Sequence, residues 1–185
     1  MTSAPMRQDR KNGAGRISFA PVTREHFDLI RLWLNRPHIR QWWGDPETEL
    51  GYIREMVEGR DTTRPFLIKL NEEPVGYIQY WFVADNQAED QVKQNPWLRQ
   101  LPAQAVGVDL SLGEEHILSQ AIGSTALRQF VATLLEMGHD TIIIDPDPNN
   151  RRAVRAYEKA GFRPIANLEG CSNDALIMQY DTNNE

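Results

Sequence analysis

Apolar residues along the chain repeat in two periods, one typical of strands and one typical of helices. Alternation of Ile17, Phe19 and Pro21 predicts an opening strand, whereas the run from Ile142 to Ile144 predicts a strand buried on both faces. The predicted strands cover residues 16–22, 65–70, 75–82, 105–112, 142–144, 162–165 and 175–180. The predicted helices cover residues 24–34, 47–58 and 122–136, with a further helix ending before Gly161.

Turn and breaker residues separate these segments. Thr23 is placed to cap the first helix, and Asn35-Arg36-Pro37 ends it. Residues 71–74 (Asn-Glu-Glu-Pro) predict a four-residue hairpin loop. The order strand, two helices, three strands, helix, strand, helix and two strands predicts an α/β fold of the mixed sandwich (α+β) type.

A polar stretch between residues 84 and 104 fits none of these elements. It contains Pro96, Trp97 and Pro102 and is too long for an ordinary connection. Two interpretations stay open, a lid over a binding site and a disordered insert. Residues 1–15 are polar and lack the apolar segment of a signal peptide, so we expect a disordered leader and a single domain over residues 16–185.

Composition narrows the class of protein. With 185 residues and 41% hydrophobic content, the chain can form one globular domain with a substantial core. A single cysteine, Cys171, excludes an intramolecular disulfide and is typical of a reducing compartment, and no segment is long and apolar enough to span a membrane. We therefore expect a cytoplasmic protein. The net charge of −6 argues against nucleic acid as a partner and favours a cationic small molecule.

Residues that could hold a metal or act as a thiol nucleophile are sparse. The histidines His26, His38, His116 and His139 show no metal-ligand spacing, so we expect no metal site. Cys171 has no neighbouring base in a recognised pattern, which argues against a thiol nucleophile.

The most informative segment covers residues 142–162. After the buried strand, an Asp-Pro-Asp-Pro turn leads into a helix whose first turn Asn149 or Asn150 can cap. Gly161 suits the left-handed position after that helix. One helical face carries small residues and one tyrosine, namely Ala153, Ala156, Tyr157 and Ala160. The alanines allow close approach of a ligand, although a packed βαβ unit with a tyrosine in the core explains the same pattern.

The order Asn150-x-Arg152-Ala153, followed by Tyr-Glu-Lys-Ala-Gly-Phe at residues 157–162, resembles the acetyl-CoA-facing helix of the GNAT superfamily of N-acetyltransferases. The resemblance implies a mostly antiparallel central sheet with helices on both faces. It also implies acetyl-CoA as the co-substrate, without a metal.

The family's pyrophosphate loop, of pattern Gln/Arg-x-x-Gly-x-Gly/Ala, corresponds to the stretch of residues 118–124, where backbone N–H groups at a helix N-terminus would hold an anion. Leu118 and Ala121 depart from the pattern, whereas Gly123 matches it. The acetyl-CoA-binding residues that the resemblance implies are Val108, Leu110, Leu118, Ser119, Gln120, Ala121, Ile122, Gly123, Ser124, Asn150, Ala153 and Tyr157.

Three further stretches resemble bacterial aminoglycoside 6′-N-acetyltransferases. They are the tryptophan-rich residues 33–44, the hairpin residues 70–79 and Gly107-Val108-Asp109. This similarity implies a cationic aminoglycoside substrate, with Trp43, Gln79, Asp109 and Asp145 as the residues that bind it. An alternative for Asp145 is that it only begins the Asp-Pro turn. Trp42 is expected in the core.

The resemblance implies direct acyl transfer without a covalent enzyme intermediate. Asp109 is the candidate base that removes a proton from the substrate ammonium, directly or through water. A backbone N–H of residues 107–110 would hold the oxyanion. The phenol of Tyr157, with a reference pKa of about 10, would donate a proton to the departing thiolate.

Rival interpretations remain on the sequence alone. A siderophore-pathway N-acetyltransferase, which acylates hydroxylysine-type amines, shares the architecture and the tryptophan-rich segment. A non-catalytic GNAT-like module that senses a ligand is supported by the degenerate pyrophosphate loop. Both a monomer and a homodimer are compatible with the sequence.

Overall fold

The computed structural model describes residues 15–168 and 175–182. The predicted leader, apart from Gly15, and Cys171 lie outside the described residues. Within these ranges a sheet of order β1-β2-β3-β4-β5-β7-β6 forms, and among its described strands only β4 and β5 pair in parallel. Its strands are β1 (Ile17–Pro21), β2 (Arg64–Leu70), β3 (Glu73–Phe82), β4 (Val106–Leu112), β5 (Ile142–Ile144), β6 (Phe162–Pro164) and β7 (Met178–Tyr180). The predicted fold class is confirmed.

Helices cover both faces of the sheet. They are α1 (Phe27–Leu34), α2 (Pro37–Trp43), α3 (Pro46–Val57), α4 (Glu89–Gln94), α5 (Ile122–Glu136) and α6 (Arg151–Ala160). Because side chains alternate along β3, Ile78 packs with Phe130 of α5 on one face, while Tyr77 packs with Ile30 of α1 and Ile53 of α3 on the other. The sheet therefore separates two hydrophobic clusters.

Two local predictions need correction. The hairpin turn between β2 and β3 consists of Asn71 and Glu72, which adopt φ values of 50° and 70°, and not of four residues. Two consecutive left-handed residues are typical of the tight turn that matches the twist of a hairpin. Residues 37–43, within the tryptophan-rich segment, form helix α2, which is absent from the predicted helices.

The polar segment after β3 is folded. A 3-10 turn at Val83–Asn86, helix α4 and a second 3-10 turn at Pro96–Gln100 replace the predicted irregular stretch. Apolar residues scattered among the polar ones form a third cluster with the sheet, made of Val83, Val92, Trp97, Leu98, Leu101, Ala105, Ile143, Leu168 and Ile177. The alternative of a disordered insert is therefore wrong, since burial of these side chains offsets the entropy of ordering the segment.

The strands β4 and β5 separate soon after they pair. Their parallel register contains Val106 with Ile142 and Gly107 with Ile143, and it ends there. Gly107 also allows the ring of Trp81 to approach, because a Cβ at this glycine would lie 2.1 Å from that ring. Asp109 and Asp145 each follow the last pair by two residues. The divergence therefore opens a cleft beside two carboxylates.

Candidate active site

A cleft of about 500 Å³ lies where β4 and β5 diverge. Helices α2 and α3 border it on one side, and α6 with the start of α5 borders it on the other. The predicted site residues that line the cleft are Trp43, Gln79, Asp109, Leu110, Leu118, Ser119, Ala121, Gly123, Ser124, Asp145, Asn150, Ala153 and Tyr157. Residues from five separate elements thus meet in one place.

Three predicted acetyl-CoA residues do not present their side chains to this cleft. Val108 is fully buried in the core beneath the sheet, and Ile122 packs against the same core. The amide of Gln120 donates a hydrogen bond to the backbone oxygen of His116, at 2.7 Å between Nε2 and O. Of these three residues, the fully buried Val108 can contribute only backbone groups to a bound ligand.

A hydrogen-bonded chain fixes the carboxylate of Asp109. The phenol of Tyr77 donates to Oε1 of Gln79 at 2.5 Å, and Nε2 of Gln79 donates to Oδ2 of Asp109 at 2.9 Å. Gln79 and Asp109 are direct partners in the β3–β4 register, so their side chains leave the sheet on the same face. Tyr77 is buried, which holds the amide of Gln79 in the orientation that donates to the carboxylate.

The two aspartates at the divergence influence each other. Burial raises the pKa of Asp109 above its ordinary value, although hydrogen bonds from Gln79 and Trp81 oppose the change. Burial, and then the negative charge of Asp109, raises the pKa of Asp145 well above its ordinary value. Like charges in one desolvated site disfavour a second ionisation. A cation bound between the carboxylates of Asp109 and Asp145 would counteract the increase in both pKa values.

A third carboxylate, Glu49, borders the cleft and was missed by the sequence analysis. It lies on α3, and burial together with the negative charges of Asp109 and Asp45 raises the pKa of Glu49 to about 7. The sequence held a signal, because Glu49 precedes the inward-facing Ile53 by four residues and therefore shares its helical face. A carboxylate on the apolar side of a helix requires a partner.

Aromatic side chains form one wall of the cleft. Trp43 meets the ring of Tyr77 edge to face, with 5.7 Å between centroids. Trp42 is half-buried and lines the cleft, so its predicted place in the core is wrong. Helix α2, which carries both tryptophans, is fastened to β4 by a 3.0 Å hydrogen bond between Nε2 of His38 and the backbone oxygen of Leu112.

Tyr157 lies on the opposite wall, on α6. Burial, followed by the negative charges of Asp109 and Asp145, raises the pKa of Tyr157 above its ordinary value, so the phenol keeps its proton. Asn150 caps this helix, because its Oδ1 accepts the N–H of Ala153 at 3.2 Å. Gly161 ends the helix at φ 109°, as predicted.

The start of α5 forms the rest of this wall. Ser119 and Ala121 both adopt φ of 63°, a left-handed conformation that non-glycine residues rarely take. Ala121 occupies the position at which the family pattern has its first glycine. The backbone there is left-handed, as is common for glycine, although the residue is alanine. The first-turn N–H groups of a helix have no acceptor within that helix and favour an anion.

Cations at the rim complement these N–H groups. Arg152, Arg155 and Lys159 of α6 border the cleft, and none of them is among the predicted site residues. They surround the small side chains of Ala153 and Ala156, which leave space against the helix. This wall is therefore suited to a long anionic molecule, and the carboxylate wall opposite to a cation.

Across the described ranges, 15–168 and 175–182, no group of three or more metal-ligating side chains comes together. In the same ranges, none of the helices has both the length and the apolar character needed to cross a membrane.

Known proteins match this chain over most of its length. A family model described as an acetyltransferase (GNAT) domain matches residues 22–169. An aminoglycoside N(6′)-acetyltransferase type 1 from Klebsiella pneumoniae is 31% identical over 175 residues, which cover 90% of this chain and 84% of that protein.

Two solved structures of an aminoglycoside acetyltransferase are also similar to this chain. The aminoglycoside acetyltransferase AAC(6′)-Ib in complex with coenzyme A and kanamycin is 26% identical, with a TM-score of 0.75 over 91% of this chain and 96% of that one. A complex of AAC(6′)-Ib with paromomycin and acetyl-CoA is also 26% identical, with a TM-score of 0.74 over 90% and 94% of the two chains. The chain therefore belongs to the GNAT family of acetyltransferases and is an acetyl-CoA-dependent N-acetyltransferase.

Proposed function

We propose that this protein transfers the acetyl group of acetyl-CoA to the 6′ amine of an aminoglycoside, and so confers resistance to the antibiotic. The observation that carries the proposal is the gathering of Asp109, Asp145 and Glu49 at one cleft, beside the faces of Trp42 and Trp43. A polycationic sugar requires carboxylates for its ammonium groups and flat apolar faces for its rings.

Acetyl-CoA fits the opposite wall. The first turn of α5 supplies backbone donors for the pyrophosphate, and Arg152, Arg155 and Lys159 supply positive charge for its phosphates. Ala153 and Ala156 leave space for the narrow pantetheine arm. Because the phosphate donors are backbone groups, Leu118 and Ala121 can replace the family's residues without loss of the site.

Asp109 is proposed as the general base. An ammonium has no lone pair, so a proton must leave before the nitrogen can attack the thioester. The raised pKa of Asp109 brings this carboxylate closer to the working pH, where a base accepts protons more effectively. The hydrogen bond that Gln79 donates to Oδ2 of Asp109 holds this carboxylate in a fixed orientation at the cleft.

The tetrahedral intermediate requires a donor for its oxyanion. Strand β4 stops pairing with β5 after Gly107, so N–H groups beyond this point that face β5 have no strand partner. We assign the oxyanion to a backbone N–H of residues 107–110.

Tyr157 is proposed as the general acid. Its phenol stays protonated because burial and the two aspartates raise its pKa. When the thioester breaks, the phenol donates its proton to the CoA thiolate. Asp145 would bind a second amino group of the drug, and the negative charge of the neighbouring Asp109 would further stabilise that cation.

Mass spectrometry of kanamycin incubated with acetyl-CoA and the protein tests the proposal, with hydroxylysine in a parallel reaction. We expect one added acetyl group on kanamycin, placed at the 6′ amine by fragmentation. Acetylation of hydroxylysine alone would transfer the assignment to siderophore-type chemistry. Binding of acetyl-CoA without modification of either amine would favour a sensing module.

A further inference from the structure

A second cavity, of about 250 Å³, adjoins the cleft and is not accounted for by acetyl transfer. Gln79 and Asp145 border both spaces. Since Gln79 is also the hydrogen-bond donor to Asp109, the second cavity begins one side chain away from the proposed base. A sugar ring that presents an amine to Asp109 would therefore reach this cavity with its remaining substituents.

The polar groups around the second cavity are almost all uncharged. Asn86, Gln91 and Asn95, all from the folded polar segment, contribute amides, and Thr63 contributes a hydroxyl. One amide is already anchored, because Nδ2 of Asn86 donates to the backbone oxygen of Phe82 at 3.0 Å. Its carbonyl oxygen remains available as an acceptor. Asp145, on the border with the cleft, is the one ionisable side chain among the described residues that line this cavity.

Trp97 gives independent evidence that a polar ligand is expected here. This residue borders the cavity and is only 4% exposed, yet its indole N–H has no hydrogen-bond partner within the described residues. A buried donor without a partner is unfavourable, so it requires an acceptor. The indole N–H can only donate. An ammonium cannot satisfy it, whereas a hydroxyl or ether oxygen can.

We propose that this second cavity binds uncharged hydroxyl groups on the sugar ring that bears the reacting amine, with the indole N–H of Trp97 donating to one hydroxyl oxygen. The inference rests on the proposed function. A hydroxyl can accept from Trp97 and donate to an amide oxygen at the same time, which matches the mixed lining. The sequence alone predicted either a lid or a disordered insert for residues 84–104. In this proposal the segment selects among substrates.

Two aminoglycosides with the same amines test the inference. Kanamycin B carries neighbouring hydroxyls on the ring with the 6′ amine, and its dideoxy counterpart, dibekacin, lacks two of them. For the wild-type protein we expect kcat/KM for kanamycin B to exceed that for dibekacin. Trp97→Phe removes the N–H and keeps an aromatic ring, so it should raise KM for kanamycin B by about two- to tenfold, the effect of one lost hydrogen bond, and reduce the difference between the two drugs.

Trp33→Phe is the matched control. Trp33 is also buried with an unpaired indole N–H, but it lies in the other cluster and does not border either cavity. We expect this variant to leave the ratio between the two drugs unchanged. A general packing defect in Trp97→Phe would raise KM for both drugs equally, and that result would overturn the inference.

The wild-type comparison needs no variant and decides the case if Trp97→Phe does not fold. Equal kcat/KM for the two drugs would contradict hydroxyl recognition while the proposed function stands. Absence of acetylation of both drugs would instead contradict the proposed function itself.

Discussion

The two walls of the cleft differ in how they are built. The wall of α5 and α6 presents backbone N–H groups, small side chains and exposed cations, whereas the wall of α2, α3 and the sheet presents half-buried carboxylates and aromatic rings. The first wall tolerates Leu118 and Ala121 in place of the family's residues, because a backbone donor survives a change of side chain. The second wall depends on individual functional groups. Substitutions should therefore have large effects on the carboxylate wall and small effects on the backbone wall.

The largest effect is expected at Asp109. Asp109→Asn keeps the shape of the side chain and removes the base, so kcat should fall by about a hundredfold or more, while acetyl-CoA still binds. Steady-state kinetics with kanamycin measures kcat, and calorimetric titration measures the binding of acetyl-CoA. An undiminished kcat would remove Asp109 from the mechanism.

Tyr157→Phe should lower kcat by about tenfold or more and change KM much less, because the phenol is proposed to act only when the thiolate leaves. This residue is the exception on the α6 wall, since it acts through its side chain. A kcat within about threefold of wild type, equivalent to less than roughly 0.7 kcal/mol, would show that another group supplies the proton.

Substitution of Glu49 tests whether a carboxylate of this wall destabilises the folded protein. Its pKa is raised from 4.5 to about 7 in the folded protein, so the folded state holds this proton more tightly than the unfolded state does. The fold therefore loses stability as the pH rises from about 4.5 to about 7, and above that range the loss is complete.

Glu49→Gln should remove this loss. Its advantage in Tm over wild type should be larger near pH 8 than near pH 5, by about 2–4 °C, if about 1 kcal/mol remains after solvent screening of a half-exposed group. Differential scanning calorimetry at the two pH values measures the change. A pH-independent difference for Glu49→Gln would contradict the assignment.

The smallest effect is expected on the backbone wall, at Ala121. Ala121→Gly relieves a left-handed conformation at φ 63°, and the gain is partly cancelled by the greater freedom of glycine in the unfolded chain. We expect stability to change by less than about 1 kcal/mol, without an increase in KM for acetyl-CoA. Ala132→Gly, exposed inside α5, should instead destabilise the protein by about 1 kcal/mol. Equal losses in urea unfolding for both variants would argue against strain at Ala121.

The sequence predicted most of the elements because their signals are local. The bounds of α5 agree with the prediction, and Asn150, one of the two residues predicted as able to cap α6, is the residue that does so. The segment after β3 was not predictable in this way. Its apolar residues, such as Val92 and Trp97, are widely spaced, and the cluster that buries them includes residues as distant along the chain as Ile143 and Leu168.

The sequence by itself determined the succession of the strands along the chain, the family, and Asn150, Ala153 and Tyr157 on the α6 wall, since their signals lie in short local motifs. Only the tertiary structure decided which side chains share the cleft. The β3–β4 register brought Gln79 to Asp109, and the packing of α3 brought Glu49 to the same space. It also placed the unpaired N–H of Trp97 beside a second cavity. Such contacts join residues that are far apart in the chain, and a local pattern of polarity does not indicate which of these residues lie close together in the fold.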